Sequence, residues 1–321
     1  MAGGPACPTA KDTFRLLGKG KKIPVILDTD IGGDIDDTWA LVMMLKSPEL
    51  DVKLVTSDSG NDVYRARIIA KMLEVAGRTD IPVGIGCKPD DKPGRQSEWV
   101  GDYDLKKYPG RVVEDGVGAI IETIRASEEP MTLVAIGPVP NLPEVLRRAP
   151  DVAQKARFVG MHGSVRLGYG GRPEVSAEYN VRADPKALQE VFAAPWDVTI
   201  TPLDTCGIVY LEGERFQKVW QSTDPTVRAL MQNYQAWRAA REKKKAAELD
   251  PPNRSSTLFD TVAVYLAITE KLLEMETLRL VVSDDGFTRI DAAGRPAHCA
   301  MKWTDLGAFQ DDLVRRLIGG A

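Results

Sequence analysis

The sequence predicts a single large α/β domain, in which a mainly parallel central sheet with a Rossmann-like core is flanked by helices. Apolar strand-like segments alternate with helical patterns along the chain, and this alternation is typical of parallel strands joined by helical crossovers. The 321 residues are 43% hydrophobic, which is enough to bury a large core. Residues 1–20 are predicted to form an N-terminal extension, and residues 21–321 the main domain.

Four strand-helix pairs carry this prediction. In chain order they are IPVILDTD (23–30) with TWALVMMLK (38–46), VKLVTSDSG (52–60) with DVYRARIIAKMLEVAG (62–77), MTLVAIG (131–137) with NLPEVLRRA (141–149), and WDVTITPLD (196–204) with EGERFQKVWQS (212–222). In open α/β sheets, ligands bind in the crevice outside the carboxyl ends of the strands. We therefore expect functional side chains where these strands end.

Charge and cysteine content argue against several classes of protein. The chain has 42 Lys and Arg against 46 Asp and Glu, and its net charge of -4 gives no reason to expect nucleic acid or an anionic membrane as partner. The four cysteines are far apart and form no C-x-x-C pair, which indicates reduced thiols. No segment approaches the roughly 18 apolar residues of a membrane span. We expect a cytoplasmic protein with a small neutral ligand.

An unusual density of acids follows the first strand. Asp28, Asp30, Asp34, Asp36 and Asp37 fall within ten residues. Carboxylates held close together repel one another, so a fold that collects them usually supplies a cation, shared protons or hydrogen-bond donors. This stretch therefore predicts a functional site.

Other segments add polar residues of the same kind. Asn61 follows the second strand, Asn141 follows a central strand, and Glu178 and Asn180 lie together in SAEYNVRADP. Asp260 stands at the start of an apolar helix, where it could also be a simple N-cap. Capping needs only one acid per helix, so the convergence of several distant segments favours a binding site.

At these segments the chain resembles the inosine-uridine preferring nucleoside hydrolases. The resemblance is carried, in the order of the family, by VILDTDIGGDIDDTWAL (25–41), Gly60-Asn61, LVAIGPVPN (133–141), SAEYNVRADP (176–185) and FDTVAVYLA (259–267). It implies that residues 21–321 form a catalytic domain that binds Ca²⁺ and hydrolyses the N-glycosidic bond of a ribonucleoside through an oxocarbenium-like transition state. It also implies a homodimer or homotetramer.

The resemblance further implies a role for each matching residue. The implied calcium ligands are Asp30, Asp37, Asp260 and the backbone carbonyl of Ile136. The implied ribose-binding residues are Asp36, Asn61, Glu178, Asn180 and Asp260. Asp30 would also accept a proton from the metal-activated water, and Asp28 would support the loop from behind.

The chain departs from the family pattern at two positions. Phe259 stands where well-studied members carry a His, so His162 is considered as an alternative proton donor or substrate contact. Arg172 replaces a common Asn near the ribose 5′ end, where a guanidinium could favour a modified, anionic 5′ substituent. Tyr234 and Trp237 could flank the pocket, although aromatic spacing alone also fits packing residues.

Three other functions remain open from the residues. Asp28-Thr29-Asp30 resembles the start of a haloacid-dehalogenase-type phosphatase motif, but Gly32 stands where that motif needs Thr or Val. A metal-dependent nucleoside-binding or sugar-binding protein without catalysis would explain Phe259. The acids could also merely cap helices and hold structural calcium. The sequence leaves the preferred base open, because it does not orient a candidate lid at residues 88–108.

Overall fold

The structure is a computed structural model that describes residues 7–87, 90 and 92–319. Its described part is built on one ten-stranded sheet. The strands are β1 (Ile23–Thr29), β2 (Leu50–Ser57), β3 (Val83–Gly84), β4 (Val112–Val113), β5 (Met131–Ala135), β6 (Ala156–Met161), β7 (Val198–Thr201), β8 (Leu273–Val282), β9 (Thr288–Ile290) and β10 (Arg295–Trp303).

The order of the strands explains where the site lies. The sheet runs β4-β3-β2-β1-β5-β6-β7-β10-β8-β9, and only the β10-β8 and β8-β9 pairs among these are antiparallel. The chain moves outward from β1 to β4 and then returns to place β5 on the other side of β1. Ligand crevices form where the strand order reverses in this way. The prediction of a mainly parallel α/β sheet is confirmed.

Helices cover the sheet. In the described ranges they are α1 (Ala10–Gly18), α2 (Asp36–Leu45), α3 (Asp62–Val75), α4 (Ser97–Val100), α5 (Gly116–Ala126), α6 (Asn141–Arg148), α7 (Tyr179–Ala183), α8 (Pro185–Ala193), α9 (Leu203–Cys206), α10 (Gly213–Trp220), α11 (Pro225–Glu242), α12 (Thr261–Ile268) and α13 (Leu306–Ile318). Short 3₁₀ helices span Leu105–Lys107, Pro150–Gln154, Tyr169–Gly171 and Ala246–Glu248. None of the helices described is both long and apolar enough to cross a bilayer.

Two apolar clusters lie on the two faces of the sheet. All seven residues of β1 are buried, and its Ile, Val and Leu side chains alternate between the clusters as strand geometry requires. Val25 and Leu27 join the first cluster, whereas Ile26 joins the second. Helix α1, within the predicted N-terminal extension, places Leu16 in a buried position and packs Phe14 against the first cluster. The acids that follow β1 therefore leave a strand that is fixed on both sides.

A buried ion pair ties the C-terminal helix to this core. Arg316 on α13 is 8% exposed, and its guanidinium donates to both carboxylate oxygens of Glu49 at 2.7 and 2.9 Å. It also donates to Asp312 at 2.7 Å and to Ser47 at 3.1 Å. Since Glu49 lies in the connection between α2 and β2, this contact stabilises the helix that begins at the acidic loop.

We expect Arg316→Leu to lower the free energy of unfolding by about 2 to 3 kcal/mol, because it leaves Glu49 partly buried without its cation. Urea-induced unfolding followed by circular dichroism measures the loss. Arg125→Leu is the matched control, since Arg125 makes the same two-bond pair with Asp151 at the surface, where both side chains are 51% exposed. That substitution should change stability little, and equal losses in the two variants would contradict the prediction.

Candidate active site

A cavity of about 440 Å³ lies at the carboxyl ends of the central strands, next to the reversal of strand order. Its carboxylates are Asp30, Asp34, Asp36, Asp37, Glu178 and Asp260. Other lining residues include Ile136, Asn180, Tyr169, Tyr179, Phe259 and Arg95. The structure thus brings together most of the residues that the sequence predicts for the site, although they come from segments far apart in the chain.

The loop after β1 is held by its neighbours. Gly32 has a φ of +107°, and a Cβ there would lie 2.6 Å from the ring of Tyr64, so only glycine fits. Its carbonyl accepts hydrogen bonds from the Tyr64 hydroxyl at 3.2 Å and from the Arg95 amide at 3.1 Å. The Gln96 side chain donates to the Asp34 carbonyl at 2.7 Å. These contacts fix a loop that carries Asp34 at the cavity and leads into α2.

Three buried carboxylates form the centre of the cavity. Asp36 and Asp37 begin α2, Asp260 precedes α12, and one oxygen of each lies within 4.8 Å of the other two. Burial raises the pKa of each carboxyl well above its usual range, and repulsion between neighbouring acids raises it further. The closeness of these carboxylates disfavours the ionisation of all three together unless a cation is present. A hard divalent cation suits this oxygen-only set of donors.

Asp260 does not act as a helix cap here. It occupies the N-cap position of α12, but its side chain makes no capping hydrogen bond. It is 2% exposed and lines the cavity instead. The simple capping alternative therefore does not account for this carboxylate.

Asp30 lies between the other carboxylates of the cavity and the guanidinium of Arg65. Burial raises the pKa of its carboxyl, whereas the guanidinium of Arg65, with 3.8 Å between Nη2 and Oδ2, lowers it. Arg65 also donates to the carbonyls of Ser59 at 2.6 Å and Ile31 at 2.8 Å. The guanidinium is therefore fixed to the loops that follow β1 and β2. The sequence analysis did not identify Arg65, because nothing in α3 signals this contact.

On the opposite wall of the cavity, the side chains of Glu178 and Asn180 are held by hydrogen bonds to backbone groups. The Asn180 side-chain amide donates to the carbonyls of Ile136 and Met161, both at 3.1 Å. Glu178 accepts hydrogen bonds from the amides of Asn180 at 2.8 Å, Gly163 at 3.1 Å and Val181 at 3.3 Å. Burial nevertheless raises the pKa of the Glu178 carboxyl to about 7. This wall therefore holds Glu178 and Asn180 in fixed positions.

A layer of polar residues supports the site from behind. Asp28 is fully buried and accepts hydrogen bonds from Thr56 at 2.5 Å and from the Asn141 amide at 2.8 Å. Asp58, which sequence reasoning missed, accepts from the Val139 amide at 2.9 Å. These contacts anchor the ends of β1 and β2 to the loop after β5.

Five predicted site residues are not among those that line the cavity. Asn61 caps α3 by accepting from the Tyr64 amide at 2.9 Å, and it lines a small neighbouring cavity of about 140 Å³. His162 is fully buried, and its Nε2 donates to the Gly137 carbonyl at 2.9 Å. Arg172 is exposed on its loop.

The remaining two predicted site residues that do not line the acidic cavity are the aromatic residues of α11. Tyr234 and Trp237 are buried against the core and line a separate cavity, because the packing of α11 turns these rings away from the acids. The aromatic residues at the acidic cavity are instead Tyr169, Tyr179 and Phe259. Tyr179 lies between Glu178 and Asn180 in the sequence, and that position was the signal available for it.

Sequence comparison matches the chain to a known enzyme family. A model of the inosine-uridine preferring nucleoside hydrolase family matches residues 25–309. The pyrimidine-specific ribonucleoside hydrolase RihA of Enterobacter sp. (strain 638) is 33% identical over 235 residues, which cover 68% of this chain and 72% of that protein. RihA of Escherichia coli O1:K1 / APEC is 33% identical over 226 residues, covering 65% and 70%.

Solved structures share the fold. A plant nucleoside hydrolase, the PpNRh1 enzyme, superposes with a TM-score of 0.75 at 22% identity and covers 92% of this chain and 99% of its own. A purine-preferring ribonucleoside hydrolase from Gardnerella vaginalis gives 0.74 at 21% identity, with coverage of 92% and 98%. The family match over most of the sequence and the identity to RihA show that the chain belongs to the inosine-uridine preferring nucleoside hydrolase family and is an N-glycosidase that hydrolyses ribonucleosides.

Proposed function

We propose that the acidic cavity is the active site and that it hydrolyses ribonucleosides with Ca²⁺ as its metal and Asp30 as its general base. The observation that supports this most is the group of three buried carboxylates whose oxygens lie within 4.8 Å of one another. Enzymes of the family depend on a metal, and calcium suits a site rich in oxygens with loose geometry. The sequence prediction of a cytoplasmic homodimer or homotetramer stays a prediction.

The protein groups divide the chemistry between them. Asp37 and Asp260, with Asp30 and the Ile136 carbonyl, would hold the cation. When bound, such a cation makes water more acidic and orients a sugar diol. Asp30 then accepts the proton of the attacking water, which its raised pKa favours. A carboxylate accepts a proton only in its ionised form. The guanidinium of Arg65 lowers the pKa of Asp30 and so helps to keep this carboxylate ionised.

Ribose binding uses the two walls of the cavity. Asp36 and Glu178 offer carboxylate oxygens to the sugar hydroxyls, and the Asn180 side chain offers its oxygen, since its nitrogen is already bound to two carbonyls. Cleavage places positive charge on the ribose, and buried carboxylates stabilise that charge more in the transition state than in the substrate. The site therefore favours the reaction over simple sugar binding.

Departure of the base depends on aromatic residues or water. Phe259 and Tyr169 meet edge to face with their centroids 6.0 Å apart at the cavity, and Tyr179 is 52% exposed there. His162 is unsuitable as a donor, because burial lowers the pKa of its imidazole to about 4 and leaves it neutral near pH 7. Good leaving groups should therefore react much faster than poor ones.

The substrate is expected to be a pyrimidine ribonucleoside, because the relatives at 33% identity are named as pyrimidine-specific. A second candidate is an N-ribosyl compound with an anionic substituent. Arg95 on the cavity lining favours it, whereas Arg172, the residue that suggested it, is exposed outside that lining.

We expect uridine and cytidine to release ribose faster than inosine, guanosine or their 5′-phosphates in a reducing-sugar assay. Asp30→Asn should lower turnover about a thousandfold or more with an unchanged circular dichroism spectrum, because it removes the base. Asp151→Asn, at an exposed surface acid, is the control.

Excess chelator should stop the reaction, and added Ca²⁺ should restore it. Unchanged turnover in chelator, with no metal found by elemental analysis, would refute the metal proposal.

A p-nitrophenyl riboside should be hydrolysed much faster than uridine or inosine, because its leaving group needs no proton. His162→Gln should keep the ratio between these substrates, since the buried imidazole does not reach the cavity. Steady-state kinetics measures the ratio. If the substitution selectively destroyed nucleoside turnover and spared the activated riboside, His162 would be the acid after all.

His162 should also make stability depend on pH. Its folded pKa of about 4 lies below the ordinary value of 6.5, so the unfolded chain binds a proton first as the pH falls. The wild-type protein should lose up to about 3 kcal/mol of unfolding free energy between pH 6.5 and 4 through this residue. His162→Gln should lack that loss, so the stability gap between the two proteins should narrow on acidification. A constant gap in chelator-treated urea titrations would contradict this.

A further inference from the structure

A second cleft lies between the end of α11 and the segment Pro251–Thr257. It has a volume of about 680 Å³ and shares no lining residue with the acidic cavity. We call it the arginine cleft and define it by Tyr234, Trp237, Arg238, Arg241, Arg254 and Ser256. Three of these side chains are guanidinium groups, whereas Glu242 is the acid on the lining, so the cleft has a positive balance.

Two of the guanidinium groups lie on aromatic rings. The Cζ atom of Arg241 is 5.1 Å from the centroid of Trp237, and that of Arg254 is 4.8 Å from the centroid of Tyr210. Neither makes an ion pair with a carboxylate of the described chain, in contrast to Arg238, which contacts Glu242 at 3.5 Å. A guanidinium whose face is stacked keeps its N–H edge free for a planar or tetrahedral anion.

A buried donor accompanies these cations. Trp237 is 2% exposed, and its Nε1 has no hydrogen-bond partner in the described residues. The buried hydroxyl of Ser256 is likewise without one there. Unpaired polar groups of this kind are uncommon in folded proteins and are often satisfied by a ligand or water. Within the described residues, the cleft thus combines cations that have no carboxylate partner with two enclosed, unsatisfied hydrogen-bonding groups on residues of its lining.

The walls of the cleft are fixed before any ligand binds. Tyr234 and Trp237 stack with centroids 5.6 Å apart at 25°, and the Tyr234 hydroxyl donates to the Arg254 carbonyl at 3.2 Å. Ser255 exchanges hydrogen bonds with the backbone of Leu211 at 2.8 and 2.9 Å. Little ordering is therefore required when an anion enters, and such preorganisation favours binding.

We propose that the arginine cleft binds the phosphate group of a small phosphorylated metabolite. A phosphate dianion offers enough acceptor oxygens to meet Arg241 and Arg254 together, which a single carboxylate matches less well. A polynucleotide fits poorly, because the net charge is -4 and the cations occupy one short cleft instead of a track. This site is separate from the proposed active site and does not depend on it.

The test is calorimetric titration of the full chain, in excess chelator, with inorganic phosphate and with ribose 5-phosphate. One saturable site per chain is expected for at least one probe, and tighter binding of ribose 5-phosphate would identify a phosphomonoester as the ligand. Arg241→Gln and Arg254→Gln should each weaken binding about tenfold or more. Trp237→Phe replaces the indole by a smaller aromatic ring without the N–H, and should weaken binding severalfold.

Arg228→Gln is the matched control, because Arg228 is an exposed arginine of the same helix outside the cleft. It should leave phosphate affinity unchanged, and the circular dichroism spectra of the arginine variants should match that of the wild type, which shows that they are folded. The proposal is overturned if neither probe binds saturably at about 10 mM, or if Arg228→Gln has the same effect. It is also overturned if Arg241→Gln changes only the sedimentation mass, since the cleft would then be a contact between copies of the chain.

Discussion

Repulsion between buried carboxylates is the constraint around which this molecule is organised. Six carboxylates of the described chain face one cavity, and at its centre Asp36, Asp37 and Asp260 approach within 4.8 Å. Such an arrangement is unfavourable unless charge is supplied or protons are retained. The fold holds the carboxylates together against this repulsion. Strand β1 is buried along its whole length and α2 packs in the core, so the acids at their ends cannot move apart. The same repulsion gives the site its affinity for positive charge.

The central sheet and the position of the candidate site at its carboxyl edge were predictable from the sequence. The strand-helix alternation identified the sheet, and the position of Asp30 after an apolar strand placed it at the carboxyl edge, because parallel strands present their ends together. The strands β8 and β9, which pair in antiparallel fashion, were not predicted. Strand β8 is only partly buried, so it lacks the continuous apolar run that marks the central strands.

The side chains that sequence reasoning misplaced share a physical cause. Tyr234 and Trp237 have the composition of a ligand wall, but which face of α11 meets the acids depends on packing that no local pattern contains. Asn61 follows a strand, yet its oxygen is used to cap the next helix. Arg65 was missed for the opposite reason, since its contact with Asp30 exists only after two loops have come together. Proximity to a strand end selects candidates, and tertiary packing assigns their contacts.

The carboxylates at the centre come from opposite ends of the chain, and this has a consequence for folding. Asp36 and Asp37 belong to the first β-α unit, whereas Asp260 arrives only when the C-terminal part has docked. These contacts have high contact order, so their loop-closure entropy must be overcome late. A cation held by all three would act as a cross-link between the two ends, and it would bind the native state but not the unfolded chain. The ion would then govern how long the protein resists proteolysis as well as how fast it works.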